Sequence, residues 1–168
     1  YRDLYKNGKI EIYENIDFTP EQRASDLLKK MTIEEKAGQM FHPPISINGG
    51  TISEIMNLAS GGGDTIESLI LKKNITHYNL YGSPNPSQLA KKLNQLQKIA
   101  ERSRLGIPLT ISSDPVHEVP RGGGVAAFSL KGFSKWPSQL GFAATRQPEI
   151  IKEFAEIARE EYLSVGLR

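Results

Sequence analysis

The alternation of apolar and polar positions predicts short strands separated by amphipathic helices. From Thr19 the pattern is helical: Ala24, Leu27, Leu28 and Met31 recur at the spacing of one helix face. Thr19-Pro20-Glu21-Gln22 marks the start, with Thr19 as cap, Pro20 at the first helical position and Gln22 as capping-box partner. A second box, Thr32-Ile33-Glu34-Glu35, opens a short helix toward Lys36. The run Gln39-Met40-Phe41 reads as a short buried strand, and His42-Pro43-Pro44 prevents a helix from continuing. Ile75 to Leu80 is the second strand, followed by the turn-forming Gly82-Ser83-Pro84-Asn85-Pro86. Ser87 is read as the cap of a long helix, with Leu89, Leu93, Leu96 and Ile99 on one face and Lys91, Lys92, Gln95, Lys98 and Arg102 on the other. Ile107 to Ile111 gives the third strand. A last helix begins at Pro148, carries Ile151, Phe154, Ile157, Ala158 and Tyr162, and stops at Gly166.

The stretches between are less regular. Residues 1–18 mix aromatics and charges without a period and read as an arm that lies on something else. Ile45 to Asp64 is rich in Ser, Asn and Gly, with a short helix expected near Thr51 to Ala59. Ser112 to about Thr145 reads as a loop that carries much of the remaining Gly. Strands near residues 38, 75 and 107, each followed by helical sequence, predict βαβ units and hence an α/β fold with a parallel sheet. Such a sheet is either doubly wound or a (β/α)₈ barrel. A barrel takes roughly 250 residues, so three units in 168 residues are less than half of one.

Composition narrows the chemistry by exclusion. Lys and Arg number 21 against 19 Asp and Glu, and the net charge of +2 comes with no basic block, so nothing points to nucleic acid or a membrane surface. No apolar run is long enough to span a bilayer. No signal peptide opens the chain, although a processed N-terminus would look the same. With no Cys there are no disulfides, thiolate metal sites, iron–sulfur clusters or Cys nucleophile. Gly61-Gly62-Gly63 and Gly122-Gly123-Gly124 lack a following Gly-Lys-Ser/Thr and read as flexible surface loops rather than phosphate cradles. His42, His77 and His117 are too scattered for a helical zinc pair, and no metal site is expected. His77 alternates with Ile75 and Asn79 and is read as a packed strand histidine.

Asp114-Pro115-Val116-His117 stands out by position. It follows a predicted buried strand, at the edge where parallel α/β folds bind ligands. A carboxylate there can accept two hydroxyl hydrogen bonds from a sugar. Asp114 can equally start an Asx turn before Pro115, and the residues alone leave both open. Glu118, Arg121 and Lys131 share the loop, and for each taken singly surface pairing is the expected role. Trp136 could stack on a sugar; Pro137 and the Leu140-Gly141-Phe142 run after it favour a packing anchor.

Four stretches in order resemble the N-terminal domain of family 3 glycoside hydrolases, the β-glucosidase/β-xylosidase group. They are Arg23-Ala24-Ser25-Asp26-Leu27-Leu28 with Met31 to Met40; Leu93-Asn94-Gln95-Leu96-Gln97 with Ser103 to Pro108; Ser113-Asp114-Pro115-Val116-His117; and Trp136-Pro137-Ser138-Gln139-Leu140-Gly141-Phe142-Ala143-Ala144-Thr145, ending in the helix up to Leu167. Together they cover roughly Thr19 to Arg168. The resemblance implies a partial TIM-type (β/α)₈ barrel of about three N-terminal βα units, with residues 1–18 as an arm and 19–168 as the incomplete front portion of the barrel domain. It also implies hydrolysis of terminal β-linked sugars with retention, an extracellular or periplasmic location, and no cofactor.

By the same resemblance Asp114 matches the aspartate that holds sugar hydroxyls in the −1 subsite, and His117 matches the histidine of an Asp-x-x-His-Gly element. Both are expected to bind substrate. Glu118 stands where that Gly is usual, which changes the backbone freedom of the loop. The family's nucleophile, an Asp beside Trp, and its acid/base Glu are expected outside these residues: Lys135 precedes Trp136, and no Asp follows Asp114. The expected partners are a glycoside substrate and the remaining strands and C-terminal domain of the same enzyme. A non-catalytic carbohydrate-binding remnant or truncated product is the alternative. An unrelated α/β enzyme using Asp114 and His117 as an acid–base pair is disfavoured by the four stretches.

Overall fold

The computed structural model describes residues 2–46, 64–81, 85–113, 117–118 and 132–168. Helices α1 (Pro20–Lys30) and α2 (Ile33–Gly38) start at the two capping boxes. Thr19 Oγ1 accepts from Gln22 N at 3.3 Å and Thr32 Oγ1 from Glu35 N at 3.2 Å, while the Gln22 and Glu35 side chains accept from the two cap amides. Strands β1 (Pro44–Ser46), β2 (His77–Tyr81) and β3 (Thr110–Ser112) form one parallel sheet in the order β1-β2-β3. Its register aligns Pro44 with Asn79 and Asn79 with Ser112. Between and after the strands run α3 (Ile66–Leu71), α4 (Pro86–Ala100), α5 (Gln139–Thr145) and α6 (Pro148–Val165). The parallel sheet and its helices are the α/β arrangement the spacing predicts.

The two faces of the sheet differ chemically because strand side chains alternate. Ile45, Tyr78, Leu80 and Ile111 are buried, and they join Leu69, Ile70, Leu89, Leu93, Leu96 and Val165 from α3, α4 and α6 in one core. His77, Asn79, Thr110 and Ser112 occupy the alternate positions and are only half-buried. One contact between helix and strand lead is polar. The Gln97 side chain exchanges two hydrogen bonds with the Leu109 backbone, 2.8 Å to its carbonyl and 2.9 Å from its amide, supplying what a strand partner would. At the far edge of β3, the Arg168 amide donates to the Ile111 carbonyl at 2.9 Å, just after the fully buried Leu167.

The arm is held against this scaffold. A single turn of 3-10 helix, Ile12–Glu14, packs on α1. Tyr13, 6% exposed, donates its hydroxyl to the Leu105 carbonyl at 3.0 Å. Burial above all, with Glu14 beside it, pushes the Tyr13 phenol well above its ordinary value, so it stays a protonated donor. Leu4 lies against Gly106, whose φ of +58° belongs to the left-handed region; a Cβ there would meet the Leu4 Cβ at 2.9 Å. Arg104 links arm, helices and strand lead by donating to both Glu35 carboxylate oxygens, the Lys30 carbonyl and the Tyr5 hydroxyl.

Four elements differ from the pattern reading. The buried strand at Gln39-Met40-Phe41 is displaced to Pro44–Ser46. Met40 and Phe41 instead close turns onto Ala37 and Gly38, and stand 85% and 62% exposed. Pro44 can open β1 because a strand's first residue needs no ladder donor there. Asn79 N pairs instead with the Pro43 carbonyl at 3.0 Å. Asn85, not Ser87, caps α4, leaving Pro86 at the first helical position. Helix α3 has no counterpart among the predicted elements, although Thr65 caps it. Helix α5 falls inside the expected Ser112–Thr145 loop, where Ser138 accepts from Gly141 N at 3.2 Å. The short helix expected near Thr51 to Ala59 and both glycine triads lie outside the described residues.

Candidate functional site

The carboxyl end of β3 is where sequence position and structure meet. Ser112 Oγ lies 3.0 Å from His42 Nε2 and donates toward Asn79 Oδ1 at 3.2 Å, so β3, β2 and the approach to β1 are tied on the polar face. His77 Nδ1 is 3.1 Å from Thr76 Oγ1, and the His42 and His77 rings meet edge-on at 6.4 Å. These groups offer donors and acceptors to a hydroxylated ligand. Among the described residues, no group of three His, Cys, Asp or Glu side chains is placed to hold a metal ion.

Asp114 lies outside the described residues, as do Arg121 and Lys131. The chain is described again at His117, which is 3% exposed. Its ring stacks on Tyr162 at 5.3 Å and takes edge contacts from Phe133 and Phe154. His117 Nε2 lies 2.9 Å from Glu161 Oε2, but off the line of a hydrogen bond; among the described residues neither ring nitrogen has an aligned partner. Glu161 also accepts from the Ser134 amide at 2.7 Å and from the Ser134 hydroxyl at 2.8 Å. Ser134 Oγ in turn accepts from Trp136 Nε1 at 2.9 Å, and the Trp136 amide donates to the His117 carbonyl at 2.9 Å. Glu118 forms a parallel bridge with Trp136. The Trp136 indole stacks on Phe142 and meets Phe154 edge-on, the packing role its context favours.

A groove of about 250 Å³ opens beside this cluster, walled by His117, Glu118, Gln139, Phe142, Ile151 and Phe154. Aromatic and aliphatic walls with a carboxylate and an amide form a surface that can receive a ring with one apolar face and peripheral hydroxyls. A larger hollow of about 380 Å³ lies between the arm and α1, lined by Ile12, Phe18 and Ser25 among others, and shares no residue with the strand ends.

Glu161 and Ser134 are the polar groups that pattern reading passed over. The signal for Glu161 was present: Phe154, Ile157, Ala158, Glu161, Tyr162 and Val165 fall on one helical stripe, so a carboxylate interrupts an apolar face. Ser134 has no such signal, because its role depends on a neighbour 27 positions away.

No family model matches the chain. Similarity to individual proteins is nevertheless extensive. Beta-glucosidase C of Emericella nidulans is 43% identical over 167 residues, covering 99% of this chain and 26% of the relative. A probable beta-glucosidase C of Aspergillus oryzae is 38% identical over 97% of this chain and 25% of its own length. A periplasmic beta-glucosidase/beta-xylosidase of Dickeya chrysanthemi is 37% identical over 99% of this chain and 25% of its own. The chain thus spans about a quarter of the length of the relatives it matches. Along nearly every residue this chain is homologous to proteins named β-glucosidases, and the resemblance to glycoside hydrolase family 3 read from its four sequence stretches is borne out.

Proposed function

We propose that the chain is part of a retaining β-glycosidase acting on terminal, non-reducing β-linked sugars, and that it supplies part of the wall around the terminal sugar. The observation that carries this reading is the match over 97–99% of the chain to proteins named beta-glucosidase. In it, the three parallel strands are the first of a (β/α)₈ barrel, whose interior is the face bearing His77, Asn79 and Ser112. Asp114, two residues beyond β3, is the principal acceptor of sugar hydroxyls, and His117 belongs to the same subsite. The nucleophile and acid/base carboxyls, which a retaining mechanism needs about 5–5.5 Å apart, come from other strands and a C-terminal domain of the same enzyme. No cofactor takes part. The location is extracellular or periplasmic, a reading supported by one relative named periplasmic. Among the described residues no helix is long and apolar enough to cross a membrane.

Asp114→Ala in the intact enzyme tests the site. Charge-assisted hydrogen bonds to two hydroxyls are worth enough to predict a fall in kcat/KM of about 100-fold or more. Near wild-type kinetics would remove Asp114 from the subsite. The isolated 168 residues should turn over no glycoside, and contaminant-free hydrolysis by them would refute the division of labour.

A further inference from the structure

One motif of the chain has no part in the glycosidase reading. Of the eight asparagines, Asn74 alone stands two residues before a Ser or Thr without an intervening Pro, in Asn74-Ile75-Thr76. Asn85-Pro86-Ser87 has the spacing but is excluded by its proline. Such a triplet is the acceptor for an N-linked sugar chain where the asparagine reaches the surface. The triplet by itself decides nothing; its place in the fold does.

Asn74 lies in the turn between α3 and β2, three residues before the strand. Its φ of +57° is left-handed, which asparagine tolerates better than most residues. The backbone is held: the Asn74 carbonyl accepts from Gln39 Nε2 at 3.3 Å, and Gly38 packs against it. The side chain is not held. It is half-buried beside the exposed Lys72 and Lys73, and its amide has no hydrogen-bond partner among the described residues. Among those residues, the buried side-chain polar atoms that lack a partner are the two His117 nitrogens, so the unpartnered Asn74 amide touches solvent. The turn belongs to the amino edge of the parallel sheet, opposite the carboxyl edge that follows Ser112. A sugar chain on Asn74 is therefore rooted away from the proposed substrate subsite.

Thr76 is placed differently. It is 6% exposed, and its hydroxyl donates to Gln39 Oε1 at 2.6 Å. Recognition of the triplet needs both the amide and the hydroxyl, and the folded chain withholds the hydroxyl. We propose that Asn74 is an N-glycosylation site, filled before this part of the chain folds. The inference goes beyond the glycosidase reading and rests only on the extracellular route proposed with it. In the step, Asn74 Nδ2 attacks the anomeric carbon of an oligosaccharide carried on a lipid pyrophosphate. The N–C bond forms, the bond from that carbon to the pyrophosphate oxygen breaks with its electron pair, and the amide gives up one proton. Thr76 then closes onto Gln39 as the chain folds, and the sugar remains on the turn.

The test secretes the full-length enzyme from yeast behind a yeast signal sequence and maps its peptides by mass. The Asn74 peptide should carry N-acetylhexosamine and hexose, and peptide N-glycosidase should remove them and leave an aspartate at position 74. Asn74→Gly, which suits the left-handed φ, and Thr76→Val should lose the modification, whereas Thr76→Ser should keep it. An unmodified Asn74 in the wild-type protein, whether secreted or retained in the cell, overturns the site. Modification that persists in Thr76→Val overturns the role of the triplet. A second arm incubates oligosaccharyltransferase and a lipid-pyrophosphate donor with unglycosylated, folded enzyme from bacteria and with a synthetic peptide of residues 70–80. The peptide should be modified and the folded enzyme not; equal modification of both overturns the order of glycosylation before folding. An enzyme that keeps its own leader and stays in the cytoplasm would remove the extracellular reading instead, while the mass at Asn74 in the signal-led protein still decides the site.

Discussion

Gly38 passes directly under the Asn74 carbonyl: a Cβ on Gly38 would lie 2.3 Å from that oxygen and 2.6 Å from its carbon. The glycine is the last residue of α2, and Asn74 adopts a left-handed φ of +57° just before the chain turns toward β2. The two backbones touch because nothing stands between them.

Gly38→Ala sets two effects against each other. Helix propensity favours Ala by up to about 1 kcal/mol, whereas the clash is with backbone that cannot swing aside and costs about 1–3 kcal/mol. The clash should win, and chemical denaturation should show net destabilisation. A more stable Gly38→Ala protein would mean that Asn74 yields easily.

Glu35 gives a pH dependence. Burial opposes its ionisation, but hydrogen bonds from Arg104 and the Thr32 amide, together with the Arg104 charge, outweigh this and hold its carboxyl below the usual value of 4.5. A depressed folded-state pKa contributes stability that is present above the unfolded value and is lost as pH falls through the folded one. Melting temperatures of wild type and Glu35→Gln should therefore differ most near neutrality and converge as pH drops below about 4.5. A gap that is constant from pH 7 to 3 would contradict this.

Gln97→Ala removes both partners of the Leu109 backbone, and Leu109 is only 4% exposed. Leaving a buried amide and carbonyl unmatched should cost about 1–3 kcal/mol, read from urea midpoints at unchanged slope. Gln97→Glu keeps an acceptor for the amide but sets a carboxylate against the carbonyl, and should be worse still.

Tyr13→Phe separates the arm's hydrogen bond from its packing. Losing the 3.0 Å bond to the Leu105 carbonyl should cost about 1 kcal/mol. Tyr13→Ala adds a cavity and should cost about 3–5 kcal/mol. Equal effects of the two substitutions would show that the ring contributes nothing to holding the arm.

Local signals made much of this fold readable. The capping boxes at Thr19 and Thr32 state their helices because their bonds lie within three residues of each other. The stripe Leu89, Leu93, Leu96 is the buried face of α4, and Gly166 ends α6 with a φ of +90°. What failed depends on distance along the chain. Met40 and Phe41 look like core by hydrophobicity, yet the strand ladder begins where Pro43 and Pro44 reach Asn79, 35 or more positions away, and that choice leaves no local trace. The site divides the same way. His117 is legible through its motif, while its contacts come from Glu161, Phe133 and Phe154, none of which a local pattern joins to it.

The contrast between the two faces of the sheet also acts as a proofreader. β1 and β3 are only three residues long, too short for ladder hydrogen bonds alone to distinguish one alignment from the next. Sliding β2 by a single residue would push His77 and Asn79 under α4 and turn Tyr78 and Leu80 out to water. Each apolar side chain so exposed would forfeit about 1.5–3 kcal/mol, and each polar group so buried would cost free energy unless it found a hydrogen-bond partner. The mis-paired strand is thus penalised on both sides at once, which is how strands this brief settle on a single alignment.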